Sequence, residues 1–313
     1  MMHMQGAGKG GKDGKGGASW RHSVYGAISG ATARTCVAPF ERLKILLELQ
    51  GMEKARGQAT TTAGRPKYSV LRGLGVILRE EGWRGFYRGH LTNLLHVAPA
   101  AAARFYSFEA YRSWLVRDGK PLPPLKRMLC GALAGITSTT LTYPLDLVRT
   151  RLAAQTPDTP MQYRYKGIGD CLVQIVKQEG PLAFWKGLSV SLVGIAPFVA
   201  INFTTFETLR QEVTERHGGQ MPLLWGPVCG AASGTFAMTC TYPFDLLRRR
   251  MMLQGRGGEE RFYSSIWDAC RKIHQFEGVG GFFKGMIPTY LKVVPSVAIS
   301  FGTYELCKRV GGE

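Results

Sequence analysis

The sequence predicts an all-α membrane protein with six transmembrane helices in three tandem repeats. Three observations carry this. First, a proline string occurs three times: PFERLK from Pro39, PLDLVR from Pro144 and PFDLLR from Pro243. Second, each string is followed by an acidic-Gly, four residues, then aromatic-basic-Gly: EGWRGFYRG from Glu81, EGPLAFWKG from Glu179 and EGVGGFFKG from Glu277. Third, each repeat carries two apolar stretches of membrane-spanning length. Composition pulls two ways. The 313 residues are 45% hydrophobic, too apolar for a disordered polycation, yet the mean hydropathy of −0.07 would by itself argue against a multi-spanning protein. The net charge of +18, from 40 Lys+Arg against 22 Asp+Glu, implies an anionic partner: nucleic acid, an acidic membrane surface or a small anion.

Taken in order, residues 1–18 are Gly/Lys-rich without an apolar core segment, and are expected to be a disordered tail. Repeats are expected at 19–118, 122–216 and 221–311. Within them a second proline (Pro99, Pro197, Pro295) follows each aromatic-basic-Gly string. An aromatic-acidic-x-x-basic string comes next: FEAYR from Phe108, FETLR from Phe206, YELCK from Tyr304. These later features recur every 98 residues, whereas the first prolines are 105 and 99 apart, so the length variation lies in the loop after the first one. Residues 222–244, 187–206 and 128–145 are uncharged for 23, 20 and 18 residues. The spans of the first and last repeats are interrupted by Arg34, Arg104 and Lys292. The pairs Gly26/Gly30, Gly131/Gly135 and Gly230/Gly234 have the spacing that lets helices approach closely in lipid. Amphipathic runs such as YSVLRGLGVILREEG predict short helices lying on the membrane surface. Segments 41–88, 146–186 and 245–284 carry 10, 6 and 8 Lys+Arg, which puts all three loops on one face and both termini on the other.

Other classes fit poorly. The seven cysteines form no CxxC pair and no zinc spacing with histidine, and read as small core residues. A soluble nucleic-acid binder would need a helix-turn-helix, RNP or zinc pattern. An enzyme would need a P-loop, a nucleophile elbow or a metal-ligand cluster. The sequence has none of these, so no catalytic residue, metal or cofactor is expected.

These strings match, in all three copies, the signature Px(D/E)xx(K/R) followed by (D/E)Gx4(aromatic)(K/R)G. The chain, over about residues 20–310, therefore resembles the mitochondrial carrier family, solute carrier family 25. The resemblance implies a monomeric six-helix bundle with pseudo-threefold symmetry, its short amphipathic helices on the matrix side. It also implies multi-pass insertion in the mitochondrial inner membrane, with peroxisomal or plastid membranes as alternatives, and exchange by alternating access. Acid and base three residues apart share a helix face. In the family such residues pair between repeats, implying a matrix gate of Glu41–Arg149, Asp146–Arg248 and Asp245–Lys44. The second ring implies a cytoplasmic gate of Glu109–Arg210, Glu207–Lys308 and Glu305–Arg112. Buried ion pairs give little net stability, which suits pairs that break and re-form. The family's bracing glutamine, nine residues after the motif proline, is absent: Glu48, Ala153 and Met252 stand there.

An asymmetric substrate must be read where the symmetry fails. Equivalent positions carry His96, Gly194 and Lys292; Arg104, Asn202 and Ser300; and Arg34, Thr139 and Met238. Intramembrane cations Arg34, His96, Arg104 and Lys292 point to a polyanion, most simply a phosphorylated one. Gly194-Ile195 resembles the adenine-recognition pair of nucleotide carriers, with glycine leaving a slot and isoleucine a wall. APFERLKILLELQ, TYPLDLVRTRLA and YLKVVPSVAISF resemble the coenzyme A and ATP-Mg/phosphate subgroup. RRRMM from Arg248 is similar to the ADP/ATP carrier's string until Leu253. The expected substrate is coenzyme A against adenosine 3′,5′-diphosphate or ADP, with ATP-Mg/phosphate or another adenine-nucleotide exchange as the alternative. Expected partners are that anion and the lipid bilayer, cardiolipin included. No EF-hand pattern precedes the first helix.

Overall fold

The computed structural model describes residues 14–55, 61–62, 65–66, 69–115, 123–157, 159, 161, 164–219, 222, 225–255 and 261–310. Among them lie nine α-helices: α1 (Gly14–Ala55), α2 (Val70–Glu81), α3 (His90–Leu115), α4 (Pro124–Ala153), α5 (Ile168–Glu179), α6 (Leu188–Arg216), α7 (Trp225–Leu253), α8 (Ile266–Glu277) and α9 (Met286–Val310). A two-residue antiparallel ladder, Thr61–Thr62 with Arg65–Pro66, is a minimal departure from an all-α chain. Helix α1 begins at Gly14, within the 1–18 stretch expected to be a disordered tail; the rest of that expectation, residues 1–13, lies outside the described residues.

Six helices are long, from the 25 residues of α9 to the 42 of α1, enough to cross a hydrocarbon core about 30 Å thick. Each holds one proline well inside the helix, Pro39, Pro99, Pro144, Pro197, Pro243 or Pro295, which lacks the N–H for its own i→i−4 bond. By length and apolarity alone, one described span qualifies as membrane-crossing, Pro181–Arg216, with a mean hydropathy of 1.7 in its best window. The others fall short because they carry hydroxyls and glycines and, in α1, α3 and α9, the charges Arg34, Arg104 and Lys292. Those hydroxyls are satisfied within their own helices. Thr140 donates to the Ile136 carbonyl (2.9 Å), Thr142 to Ser138 (2.8 Å) and Thr241 to Ala237 (2.9 Å). A hydrogen-bonded hydroxyl is tolerable in lipid, so hydropathy undervalues these helices. Burial is inverted to match: Phe105, Tyr106 and Trp114 of α3 are 74%, 80% and 82% exposed.

The chain divides into two units, residues 38–291 and residues 1–37 with 292–313. The smaller unit holds the first part of α1 and the last part of α9. Its threonines use the same device, Thr32 donating to Ile28 and Thr35 to Ala31 (both 2.9 Å). In the larger unit α3 packs on α4, and α6 on α7, so the second helix of one repeat lies against the first helix of the next. Its core is three apolar clusters, one built around each repeat's short helix. Leu43, Leu46, Ile77 and Phe86 form one, Leu147, Cys171 and Ile175 anchor another, and Leu246, Ala269 and Ile273 the third. The solid core therefore sits beside the basic loops.

Two expectations need correction. A Cβ on Gly26, Gly30, Gly131 or Gly230 would meet no described atom within 4 Å, so these glycines mark no close helix approach. Only Gly135 and Gly234 lie near α6, at 3.3 Å from Ile195 and 3.9 Å from Asn202. The seven cysteines are free, but Cys36 and Cys240 are exposed rather than core.

Candidate functional site

The proline strings bring their charges together at the inner ends of α1, α4 and α7. Arg149 of α4 bonds Glu41 of α1, and Arg248 of α7 bonds Asp146 of α4. Asn93 of α3 adds a donor to Glu41 (3.2 Å). The Arg248 guanidinium also lies over the Tyr143 ring, 5.1 Å from its centre. Beside Lys44 the structure places Glu48 at 3.8 Å and the Tyr242 ring at 4.8 Å, while Asp245 faces a cavity with Arg248 and Arg249. The aromatic-acidic-basic strings behave differently. Glu109 pairs with Arg112 of its own helix (3.4 Å) and Glu207 with Arg210 (3.7 Å), so the Glu109–Arg210 pair between repeats is not made in this conformation. Both pairs are partly exposed. Glu305 and Lys308 lie in the last turns of α9, in the smaller unit.

The bracing position is not vacant. Glu48 is fully buried and accepts from the Tyr242 hydroxyl (3.3 Å), and its other oxygen lies 3.3 Å from Nε of Arg249. An acid of repeat 1 thus grips repeat 3 where a glutamine was missed. Ala153 and Met252, at the equivalent positions, enter apolar clusters shared with the preceding repeat instead.

A second charged layer escaped the sequence reading. The glutamates of the acidic-Gly strings each receive a buried arginine. Arg42 bonds Glu81 (2.7 Å), Arg151 bonds Glu179 (Nη2 to Oε2, 2.9 Å), and Arg250 bonds Glu277 (2.9 Å). The basic residue of the same string closes each cluster: Arg88 (3.1 Å), Lys186 and Lys284. Each arginine also reaches the following repeat. Arg42 donates to the Gln155 carbonyl (2.8 Å) and Arg151 to the Met252 carbonyl (3.2 Å). A Cβ on Gly51 would collide with Arg250 and Glu277. Burial raises the Glu179 and Glu277 carboxyls, but bonds from Arg151 and Lys186, and from Arg250 and Lys284, outweigh it and hold both below the ordinary carboxylate value. The final glycines complete the joint. Gly187 (φ +85°) presses on the Arg248 carbonyl and Tyr143 hydroxyl, where a Cβ would sit 3.0 Å from each.

Two adjoining cavities open above these pairs, sharing Arg104, Thr139, Asp245 and Arg248. One, of 440 Å³, is lined by Arg104, Gly194, Ile195, Phe198 and Met238 among others. The other, of 250 Å³, adds His96, Asp146, Arg149 and Arg249. Arg104 is exposed and makes no ion pair among the described residues. Gly194 faces the larger cavity but is no open slot: a Cβ there would lie 3.1 Å from Phe244, so the glycine also lets α7 approach. Arg34 and Lys292 are half-buried in the smaller unit.

A family model described as mitochondrial carrier protein matches residues 16–119, 120–217 and 220–312. The chain is 36% identical over 313 residues to a mitochondrial adenine nucleotide transporter of Arabidopsis thaliana, covering 92% of this chain and 86% of that protein. It is 34% identical over 303 residues to the mitochondrial carrier protein CoAc1 of the same plant, covering 91% and 88%. It is 33% identical over 306 residues to a human mitochondrial adenyl nucleotide antiporter, covering 95% of this chain and 60% of that protein.

Proposed function

Because the chain belongs to the mitochondrial carrier family, we propose that it exchanges an adenine-nucleotide-type anion across the mitochondrial inner membrane. One observation supports this most: Gly194, Ile195 and the unpaired Arg104 share one cavity, offering an apolar wall and a cation to the same ligand. The favoured pair is coenzyme A against adenosine 3′,5′-diphosphate or ADP. The second reading is ATP-Mg/phosphate or another adenine-nucleotide exchange; two of the relatives carry adenine or adenyl nucleotide in their names. Arg34, His96, Arg104 and Lys292 are the proposed phosphate readers. Glu41, Lys44, Asp146, Arg149, Asp245 and Arg248 form the proposed matrix gate, closed in this conformation at two crossing pairs. The proposed cytoplasmic gate is Glu109, Arg112, Glu207, Arg210, Glu305 and Lys308.

The protein works in this reading as a monomer in the bilayer, with the plastid envelope or peroxisome as the alternative membrane. A 770 Å³ groove lined by Arg88, Arg164 and Lys166 beside Leu91, Leu152 and Ile168 suits an anionic lipid such as cardiolipin. The test is reconstitution in liposomes. Labelled coenzyme A or adenine nucleotide should enter only when a counter-substrate is inside, and competition among coenzyme A, ATP-Mg, ADP and phosphate separates the two readings. No exchange with any adenine nucleotide refutes the proposal.

A further inference from the structure

We propose that Trp185 is a positioning residue for the matrix gate: its indole N–H takes up the backbone carbonyl that Pro144 leaves open, and so fixes the kink that carries Asp146. This role rests on the reading of Asp146 as a gate residue and adds the group that holds it in place. Pro144 has no N–H, so the carbonyl four residues earlier, that of Thr140, loses its helical donor. Inside a membrane span such a carbonyl has no water to turn to. Trp185 Nε1 donates to it at 3.3 Å. The donor comes from outside α4, from the short turn Pro181–Trp185 that follows α5.

A second bond holds the next side of the kink. Tyr143, directly before Pro144, donates to the Lys186 carbonyl (3.0 Å). Residues 185 and 186 therefore strap α4 at the open carbonyl and again at the residue before the proline. The strap is itself anchored: Lys186 Nζ bonds Glu179, which also takes Arg151 of α4. Two residues past Pro144, Asp146 reaches Arg248 of α7. A kink that cannot swing keeps that carboxylate aimed at its partner each time the pair re-forms. The device belongs to repeat 2. The equivalent aromatic is Tyr87 in repeat 1 and Phe283 in repeat 3, neither with an indole N–H, and Ala38 stands in repeat 1 where Tyr143 stands here. Repeat 3 keeps the hydroxyl contact, Tyr242 Oη lying 2.9 Å from the Lys284 carbonyl. The matching proline kinks are thus braced by different groups.

The experiment is a double-variant cycle read by thermal unfolding of the purified protein, with exchange kinetics in liposomes beside it. Trp185→Phe keeps an aromatic ring and loses the donor. It should lower Tm by about 2–4 °C, the weight of one hydrogen bond. Pro144→Ala restores a backbone N–H to the Thr140 carbonyl, so adding Trp185→Phe in that background should lower Tm by less than about 1 °C. An indole acting only as an interfacial anchor would cost the same in both backgrounds. Equal losses, or an unchanged Tm in the single variant, would overturn the bond. In liposomes Trp185→Phe should lower kcat about fivefold with KM within about twofold, because the gate pair re-forms in every cycle while the cavity lining is untouched. A kcat per folded protein equal to the parent's would make Trp185 merely structural and overturn the positioning role. Should the parent exchange no nucleotide, the functional reading fails, and the thermal cycle still decides the bond.

Discussion

Glu179→Ala should destabilise the protein sharply, far from any substrate. Arg151 is 0% and Glu179 4% exposed, and their two bonds join α4 to the end of α5. Truncating one partner of a buried pair costs about 3–5 kcal/mol, because the other charge is left in a low-dielectric site. Two contacts to Arg151 survive, the Met252 carbonyl at 3.2 Å and the Tyr165 hydroxyl at 3.4 Å, which argues for the low end. At roughly 2–4 °C per kcal/mol for chains of about this size, about 3 kcal/mol lowers Tm by about 6–12 °C. The assay is thermal unfolding of the purified carrier in detergent. The double variant Glu179→Leu with Arg151→Met removes both charges and should recover at least about half of the loss, since apolar replacement of a whole buried pair is often neutral. A single-variant shift under about 2 °C, or a double variant that loses the sum of both singles, would refute the reasoning.

Three further outcomes are expected. Asp146 touches Arg248 of the next repeat and lies 3.9 Å from Arg149, so Asp146→Lys should abolish exchange in liposomes while the protein still inserts; near-normal exchange would remove it from the gate. Arg104→Ala should raise KM for phosphorylated substrates about tenfold, the weight of one charge-assisted contact, and an unchanged KM would make Arg104 a snorkelling charge. On acidification, Glu179 behaves as a group with a lowered folded pKa: its contribution is present above the ordinary value of 4.5 and is lost as pH falls through the folded value. The parent Tm should therefore be insensitive to this group from pH 8 to about 5 and fall below that, and Glu179→Gln should lose less on acidification.

How far the sequence carries depends on whether position and spacing coincide. The three repeats, the six prolines and the acid–base steps were legible because helix geometry converts a fixed spacing into a fixed face. The buried arginine layer was not. In repeats 2 and 3 the arginine stands seven residues after the motif proline, as Arg151 and Arg250. In repeat 1 that position is Leu46, in the apolar cluster, and Arg42 does the same work from one helical turn earlier. Register comparison shows a missing charge there, whereas the folded chain shows the same bond made from the neighbouring turn. Mean hydropathy undervalues the six spans for a related reason: it counts a threonine as polar, and the helix satisfies its hydroxyl internally.

The position nine residues after the motif proline shows how symmetry and specificity divide. Glu48, Ala153 and Met252 occupy one site in three copies, and all three are buried against a neighbouring repeat. The joint is therefore retained while its chemistry changes, from a charge contact in one copy to apolar packing in two. An apolar joint does its work by exclusion of water and is indifferent to the cavity's contents. A charged joint to a cavity-lining arginine is not, because Asp146 and Asp245 line the same cavity and act on the same guanidinium. The three joints consequently differ in what loosens them, and among the described residues the one between repeats 1 and 3 is the one held by charge.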